Sequence, residues 1–585
     1  MTPAVIIKPK NVKDIQLVVK YASETCKGVA VRTGGHQYTG ASSTSGDNLQ
    51  LDLSDTFESV VRDFCYDYGN GLLRVGISFS LLQLNSLLRN MKMFIPHGQC
   101  GSVHVGGHAQ TGGYGMLSRS FGMMCDHIEA FEIVLANGDV KKIWKPNSLY
   151  GPNQDVENYN YNDDLFWAVM GGSPGNYGIL THLEIRPLHD KAYPSSHGMK
   201  ATTYYTKEKL EKCVQVMAEM SDNQELPGNF DYCITVMTDA KNSFYFKQYM
   251  QNENELTLDE KMLLHYPEQY ADGIPWAEES KLAIPQRLAP VILIYFQWAN
   301  INGEDECFAE QERMWFEKIR IAMEPLVFDA PKNQSNGRPK LEDMKLFIQA
   351  FAASLQGDME TKAKYDQLDL LRYSDPTAMS ELSRYWVYDD VREYCQPFEK
   401  RVYMTNKTDL STNGWVGWVS NQVDQIDGEY RNSDSVNLTV QIQLYGGKNS
   451  KLHQIGFNHP QNSSHSWRTD TTIVQVLDGF YDQRDAEALP KLLEWQARND
   501  KEAMEDGIFC EKDRRFLWGS YHRADDEEGG ASLDCVWDKY FDSKEKYDRL
   551  VDIKRKVDPQ YIFTANMFGV DASNAPASKK ISIQK

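Results

Sequence analysis

Several things are scarce or missing in this 585-residue chain, and each absence closes off a class of protein. None of its ten cysteines forms a Cys-x-x-Cys pair, so neither a disulfide framework nor a zinc ribbon is expected, and most thiols should be buried. Basic residues are few: 62 Lys and Arg against 82 Asp and Glu leave a net charge of −20. That sign argues against gripping a nucleic-acid backbone. No apolar run approaches the roughly 18 residues that span a bilayer. The N-terminal MTPAVIIKPKNVKDIQ lacks the long apolar core of a signal peptide. The expectation is an intracellular protein, or one whose leader has been removed, with no membrane and no nucleic-acid partner. Four glycosylation sequons, at Asn333, Asn406, Asn437 and Asn462, are no more than chance supplies. What remains is 41% hydrophobic and 11% aromatic, a folded chain too long for one core, for which two lobes are expected.

Against that background one stretch stands out, Phe94 to Asp126. Seven glycines (Gly98, Gly101, Gly106, Gly107, Gly112, Gly113, Gly115) fall within eighteen residues, among Cys100, His97, His104 and His108. Glycine this dense costs backbone entropy and is kept where the chain turns at positive φ or touches a ligand closely. Backbone N–H groups laid bare in this way can cradle phosphates. Three other readings compete: a plain surface loop, a metal site using His104 and His108, or a Walker-type loop. The Gly106-Gly107 pair opposes the helix that a histidine pair four apart would need. The Walker lysine is absent, here and in the upstream Gly35–Ser42 loop. Two further glycine clusters favour the cradle. Arg32-Thr33-Gly34-Gly35-His36-Gln37-Tyr38 follows a short apolar strand, and Gly171, Gly172, Gly175 and Gly178 follow an aromatic helix.

The rest of the chain is read around that stretch. The periodicity predicts a helix over 12–26, with Ile15, Val18, Val19 and Ala22 inward and Gly28 as its stop. Strands are expected at 29–31, 49–53, 72–77 and 130–136, and Ser80 caps a helix. Asn137-Gly138 signals a hairpin returning through 140–144. Beyond about 190, helical patterns at 206–220, 305–324 and 485–505 alternate with strands at 291–298, 436–445 and 471–476. Residues 385–435 read as loops. A last helix runs 544–557 up to Asp558-Pro559.

In this order the motifs resemble the FAD-linked oxidases of the berberine bridge enzyme group, in the vanillyl-alcohol-oxidase (PCMH-type) superfamily, and within it the hexose and oligosaccharide oxidases. The resemblance rests on Arg32–Tyr38, Gly98–Gly115, Asp164–Ile179, Tyr445–Ser450, Gln475, Tyr521 and Tyr540-Phe541. It implies an α+β fold: an FAD-binding domain over 1–190, a substrate domain with an antiparallel sheet over 191–525, and a segment 526–585 returning to the first. It implies FAD bound covalently at two points, His36 to the 8α-methyl and Cys100 to C6. Arg32, Thr33, Gly34, Gly35, Gln37, Val103, Gly106, Gly107, His108, Gly112, Gly113, Gly115, Gly178, Ile179 and Tyr540 match the cofactor-binding positions, with His108 near the ribityl chain and Val103 where a small side chain admits oxygen. Tyr38, Gln475 and Tyr521 match the substrate face, with Tyr521 as base. Gln443 stands where those oxidases usually carry a carboxylate, and His104 where glycine is usual.

The resemblance thus implies a monomeric enzyme with a small-molecule substrate and O2, and no metal. An alcohol or hemiacetal carbon of a sugar would give hydride to flavin N5, yielding a lactone and H2O2. The alternatives are oxidative bond formation on a secondary metabolite by the same flavin, and a flavin-binding protein without turnover.

Overall fold

The structure, a computed structural model, describes residues 2–37, 40–151, 159–238, 290–303, 310–324, 327–329, 377–387, 397–430, 435–515, 532–566 and 568–576. It opens with β1 (Pro3–Ile7), α1 (Val12–Glu24), β2 (Val29–Arg32) and β3 (Gly46–Asp52). The three strands pair in parallel in the order β1-β3-β2. The Asn11 side chain caps α1 by accepting from the Lys13 and Asp14 N–H groups, and Ile15, Val18, Val19 and Ala22 are its buried face. The helix ends earlier than its glycine suggests, because Cys26 takes the left-handed turn at φ 56°. Gly28 serves close packing instead: a Cβ there would lie 2.8 Å from Asn48 Oδ1.

β4 (Phe64–Asp67), β5 (Leu72–Gly76), α2 (Leu81–Asn90), β6 (Met93–Phe94), α3 (Val105–Gln110), α4 (Ser118–Phe121), β7 (Ile128–Val134), β8 (Val140–Trp144), α5 (Tyr159–Val169) and β9 (Ile179–Ile185) follow. Five of these strands form an antiparallel sheet in the order β4-β5-β9-β7-β8. Ser80 and Gln83 close a reciprocal capping box on α2, and Gly138 makes the β7–β8 turn at φ 83°.

The next elements are β10 (Leu188–His189), β11 (His197–Tyr204), α6 (Lys207–Asp222), β12 (Phe230–Met237), β13 (Val291–Trp298), α7 (Glu310–Met323), β14 (Val327–Asp329), α8 (Met379–Tyr385), β15 (Phe398–Thr405), α9 (Trp415–Tyr430), β16 (Val436–Leu444), α10 (Lys451–Asn458), β17 (Ile473–Tyr481), α11 (Ala488–Asp500) and α12 (Lys544–Val557). Seven strands make one antiparallel sheet, β14-β11-β13-β12-β16-β17-β15. One of its faces shares a core with α6, α7 and α9; the other carries Val402, Met404, Val474 and Val476 into the core of the first lobe. Leu533, Tyr547, Leu550, Ile562 and Phe563 belong to that first core too.

The expectation of loops over 385–435 is corrected. Within it lie β15 and the sixteen-residue α9, which buries Trp415, Trp418, Val419, Val423 and Ile426. Their spacing is helical, and the surrounding Asn and Gly composition masked it.

Buried charges lock the lobes together. Arg468 donates to both carboxylate oxygens of Asp126, at 2.8 and 2.7 Å. Arg119, at the start of α4, is 1% exposed and donates to the carbonyls of Gly446, Pro227 and Phe230, while its N–H meets Asp231. Removing one member of such a buried pair costs about 3–5 kcal/mol, so the space between the lobes is held to a fixed shape.

Candidate active site

Between the lobes opens a cleft with a cavity volume of about 220 Å³. Its floor is the glycine-rich backbone. Thr33, Gly35, His36 and Gln37 arrive from the end of β2; Gly98 to Cys100, Val103, His104, Gly106 to His108 and Gly115 come from the long glycine segment; Gly175 and Gly178 come from the turn into β9. The three glycine clusters, separate in sequence, meet here. Several of these glycines are fixed by sterics. At Gly115 (φ 155°) a Cβ would stand 2.2 Å from the His97 carbonyl oxygen, and at Gly106 it would stand 2.7 Å from Ile77 Cβ. Gly107 and Gly175 differ: among the described residues, no atom beyond their own chain neighbourhood lies within 4 Å of where their Cβ would be, and both border the cleft.

His36 and Cys100 both line this floor. The Ser102 hydroxyl lies 3.1 Å from His36 Nε2, and the Cys100 thiol is half-buried. His108, on α3, accepts the Gly98 N–H at Nε2, 2.9 Å away. Burial, with His97 nearby, lowers its pKa to about 3, so the ring is neutral and carries its hydrogen on Nδ1. His104 packs beneath Gly34, where a Cβ would be 2.8 Å from its ring. Burial and the neighbouring His36 lower its pKa to about 4, and its buried Nδ1 makes no hydrogen bond among the described residues.

The opposite wall is the seven-stranded sheet. Side chains alternate across a sheet, and Gln441, Gln443 and Tyr445 continuing β16, Val474, Val476 and Asp478 on β17, and Lys400 on β15 all face the cleft. Gln443 donates to the Gly115 carbonyl at 2.8 Å, tying wall to floor. Gln441 donates to Gln99 Oε1 at 2.9 Å, just before Cys100. Lys400 and Asp478 stand directly opposite each other in the β15–β17 register. The lysine Nζ lies 2.9 and 3.1 Å from the two carboxylate oxygens.

Several of the expected site residues have other surroundings. Gln475 points to the other face of β17, where the Trp415 indole donates to it at 3.2 Å; its neighbours Val474 and Val476 face the cleft. Ile179 is likewise turned into the core, beside Gly178 and Leu180 that line the cleft. Arg32 is paired with Asp52 at 3.0 Å and Gly34 packs on His104, both beside the lining residues Thr33 and Gly35. Gly112 and Gly113, at φ 96° and 73°, pack against His465, Met123 and Met124. Tyr540 is buried in the first core with its ring 5.5 Å from Phe568. Tyr38 and Tyr521 lie outside the described residues. Sequence reasoning missed Gln99, Tyr114, Gln441, Lys400 and Asp478, all on the cleft. The alternation of β16 around Gln443 would have found Gln441; nothing local marks Lys400 or Asp478.

Residues 3–143 match the family model described as an FAD binding domain. The FAD-linked oxidoreductase penO of Penicillium crustosum is 32% identical over 184 residues, 32% of this chain and 36% of that protein. The chain thus matches about a third of that relative's length. Berberine bridge enzyme from Eschscholzia californica superposes with a TM-score of 0.60 at 16% identity, over 97% of this chain and 90% of that one. Chitooligosaccharide oxidase superposes at 0.56 and 15% identity, covering 100% and 92%. At these identities the structural likeness establishes the fold.

Proposed function

We propose that this chain, berberine bridge enzyme-like in fold and carrying an FAD binding domain, is an FAD-dependent oxidase of a sugar or oligosaccharide. The donor would be an alcohol or hemiacetal carbon, the product a lactone, and the acceptor O2, reduced to H2O2. The observation that carries this reading is a glycine floor facing a wall of hydrogen-bonding side chains, Gln441, Gln443, Lys400, Asp478 and Tyr445. A hydroxyl-rich substrate can satisfy such a wall. An apolar one would take water from the hydrogen-bonding capacity that these side chains' partners within the protein leave over.

The residues present fit the cofactor. Gly107 and Gly175 leave room on the floor that any side chain would fill, and a histidine and a thiol face that room together. When bound, the flavin supplies a hydride acceptor at N5 and a path for electrons to oxygen. His36 and Cys100 are proposed to hold it at two points, with Ser102 steadying the His36 ring. Neutral His108 keeps Gly98 in place, and Gln443 does the same for the Gly115 carbonyl. Val103, half-buried against the first core, is proposed to leave room for O2 beside Cys100. Tyr521 is proposed to take the hydroxyl proton. A phenol near pKa 10 needs roughly 4 kcal/mol of help to act as a base at pH 7.

Val474 and Val476 give the wall an apolar strip, which suits the second reading, oxidation of a secondary metabolite. The test offers the purified yellow protein glucose, cellobiose, N,N′-diacetylchitobiose and reticuline while H2O2 is followed. Peroxide with sugars supports the first reading and peroxide with reticuline alone supports the second. Peroxide with none contradicts both.

A further inference from the structure

We infer that Gln99, Gln441 and Cys233 form a clasp that positions Cys100 for its bond to the flavin, so that the substrate lobe governs whether the second anchor forms. This rests on the reading of Cys100 as an anchor and adds to it the residues that place the thiol.

Cys233 stands directly opposite Gln443 in the β12–β16 register. Residues opposite each other share a face of the sheet, so its thiol is on the cleft side of the wall. It is nonetheless fully buried, because two amides close over it. The Nε2 atoms of Gln99 and Gln441 each donate to its sulfur at 3.5 Å. Gln441 Nε2 also donates to Gln99 Oε1 at 2.9 Å, which uses both hydrogens of that amide. The Gln99 side chain is thereby held from two neighbouring strands, β12 and β16. Burial pushes the Cys233 thiol up to about 11, so at neutral pH the sulfur is an uncharged acceptor. A buried amide N–H deprived of it would be left unsatisfied, which is costly and favours this single arrangement.

On its other side Cys100 is held by the first lobe. The Gly101 carbonyl accepts the Leu82 N–H of α2 at 3.0 Å, and the Cys100 carbonyl accepts the Val103 N–H at 3.2 Å. Cys100 thus sits between a residue tied to the seven-stranded sheet and a residue tied to α2, and both lobes place its thiol. His36 differs: Ser102, which its ring meets at 3.1 Å, belongs to the first lobe. Anchors with different supports should fail separately. In the step at Cys100, Sγ bonds to flavin C6 while the thiol and C6 each release a proton and two electrons pass into the ring. O2 takes up those electrons with two protons and leaves as H2O2. Such a step needs its reacting atoms about 3–3.5 Å apart, and a misplacement of about 1 Å can cost roughly 10²-fold.

The experiment digests purified, flavin-loaded protein and measures by mass spectrometry the flavin carried by the Cys100 and His36 peptides. Unaltered protein is expected to carry it on both. In Cys233→Val, which removes the acceptor from beneath the two amides, the share of Cys100 bearing flavin should fall by about 10-fold or more. The His36 peptide should keep its flavin, and the absorbance spectrum should come to match that of Cys100→Ala. Cys233→Ser, whose hydroxyl again accepts from both amides, should restore the bond at Cys100; a role in packing alone predicts no such recovery from the smaller residue. Unchanged flavin at Cys100, equal loss at both peptides, or no recovery in Cys233→Ser would overturn the clasp. Should Cys233→Val not fold, Gln99→Met cuts the same tie from the floor, leaves Gln441 bonded to Cys233, and is held to the same result. Absence of flavin from Cys100 in the unaltered protein is a different failure: it refutes the anchor reading, and the clasp with it.

Discussion

Gly107 and Asp478 face the same cleft from opposite sides, and they show two ways to build a site. On the floor the useful feature is the missing side chain. The backbone of three glycine clusters approaches the cleft directly, and positions such as Gly115 are held by contacts that leave no room for a methyl group. On the wall the useful feature is the side chain itself, presented at alternate positions of three neighbouring strands. The floor is suited to gripping a large flat cofactor whatever the substrate. Outside the ties made by Gln441 and Gln443, the wall can change its reading of the substrate without disturbing the floor. On the proposed function, holding and recognising are separated between the lobes, and the buried pairs of Arg468 with Asp126 and Arg119 with Asp231 keep them aligned.

That division can be broken or sharpened. The largest effect is expected from chemistry supplied by a side chain: Tyr521→Phe should lower the rate of flavin reduction in stopped-flow by about 10²–10⁴-fold while the protein stays yellow. An unchanged rate would remove Tyr521 as the base.

Next come two glycines of the floor. Gly115→Ala puts a methyl group 2.2 Å from a backbone oxygen and should cost at least the ~1–3 kcal/mol of an overpacked site, seen as a lower Tm. Gly107→Ala meets no atom of the described residues beyond its own helix, so its Tm without flavin should hold while flavin incorporation falls. Equal behaviour of the two would deny that Gly107 faces a ligand.

A smaller effect concerns pH. His108 has its pKa lowered from 6.5 to about 3 by burial, with His97 adding to it. Between these values the unfolded chain binds a proton that the folded chain refuses, so stability rises with pH across that window. The contribution is fully present above pH 6.5 and is lost as pH falls toward 3. His108→Gln should flatten the stability–pH slope over pH 4–6 by one proton, about 1.4 kcal/mol per pH unit. Denaturant titrations across that range check it; an unaltered slope would mean that the ring is protonated in the fold.

The smallest is Val103→Leu, which adds bulk beside Cys100 and should slow reoxidation of the flavin by O2 more than its reduction. Equal slowing would mark a general disturbance.

The same division explains what the sequence disclosed. The floor is local: each glycine cluster sits within a few residues of its strand or helix, so the clusters, with His36 and Cys100 among them, could be read directly. The wall is not. Lys400 and Asp478 are 78 residues apart and meet only through the β15–β17 register. Gln475 shows how sharp that dependence is: a strand alternates every residue, so a reading off by one position places a side chain on the wrong face. The same holds for Ile179 beside Gly178. Arg32, Gly112, Gly113 and Tyr540 follow a different pattern. They stand within cofactor-type motifs, and in the structure they also pair and pack, which spacing alone does not disclose. Helix α9 was hidden by its composition, although its tryptophans and valines keep helical spacing.

The most direct test of the account is whether the flavin is held by both His36 and Cys100. Unaltered protein, precipitated in acid and washed, is expected to stay yellow. His36→Ala and Cys100→Ala should each still retain flavin through the remaining bond, with altered absorbance spectra, and only the double variant should release free FAD into the supernatant. Release of all the flavin from the unaltered protein would contradict the account at its centre, because the histidine and thiol that share the floor would then be neighbours of the cofactor and not its anchors.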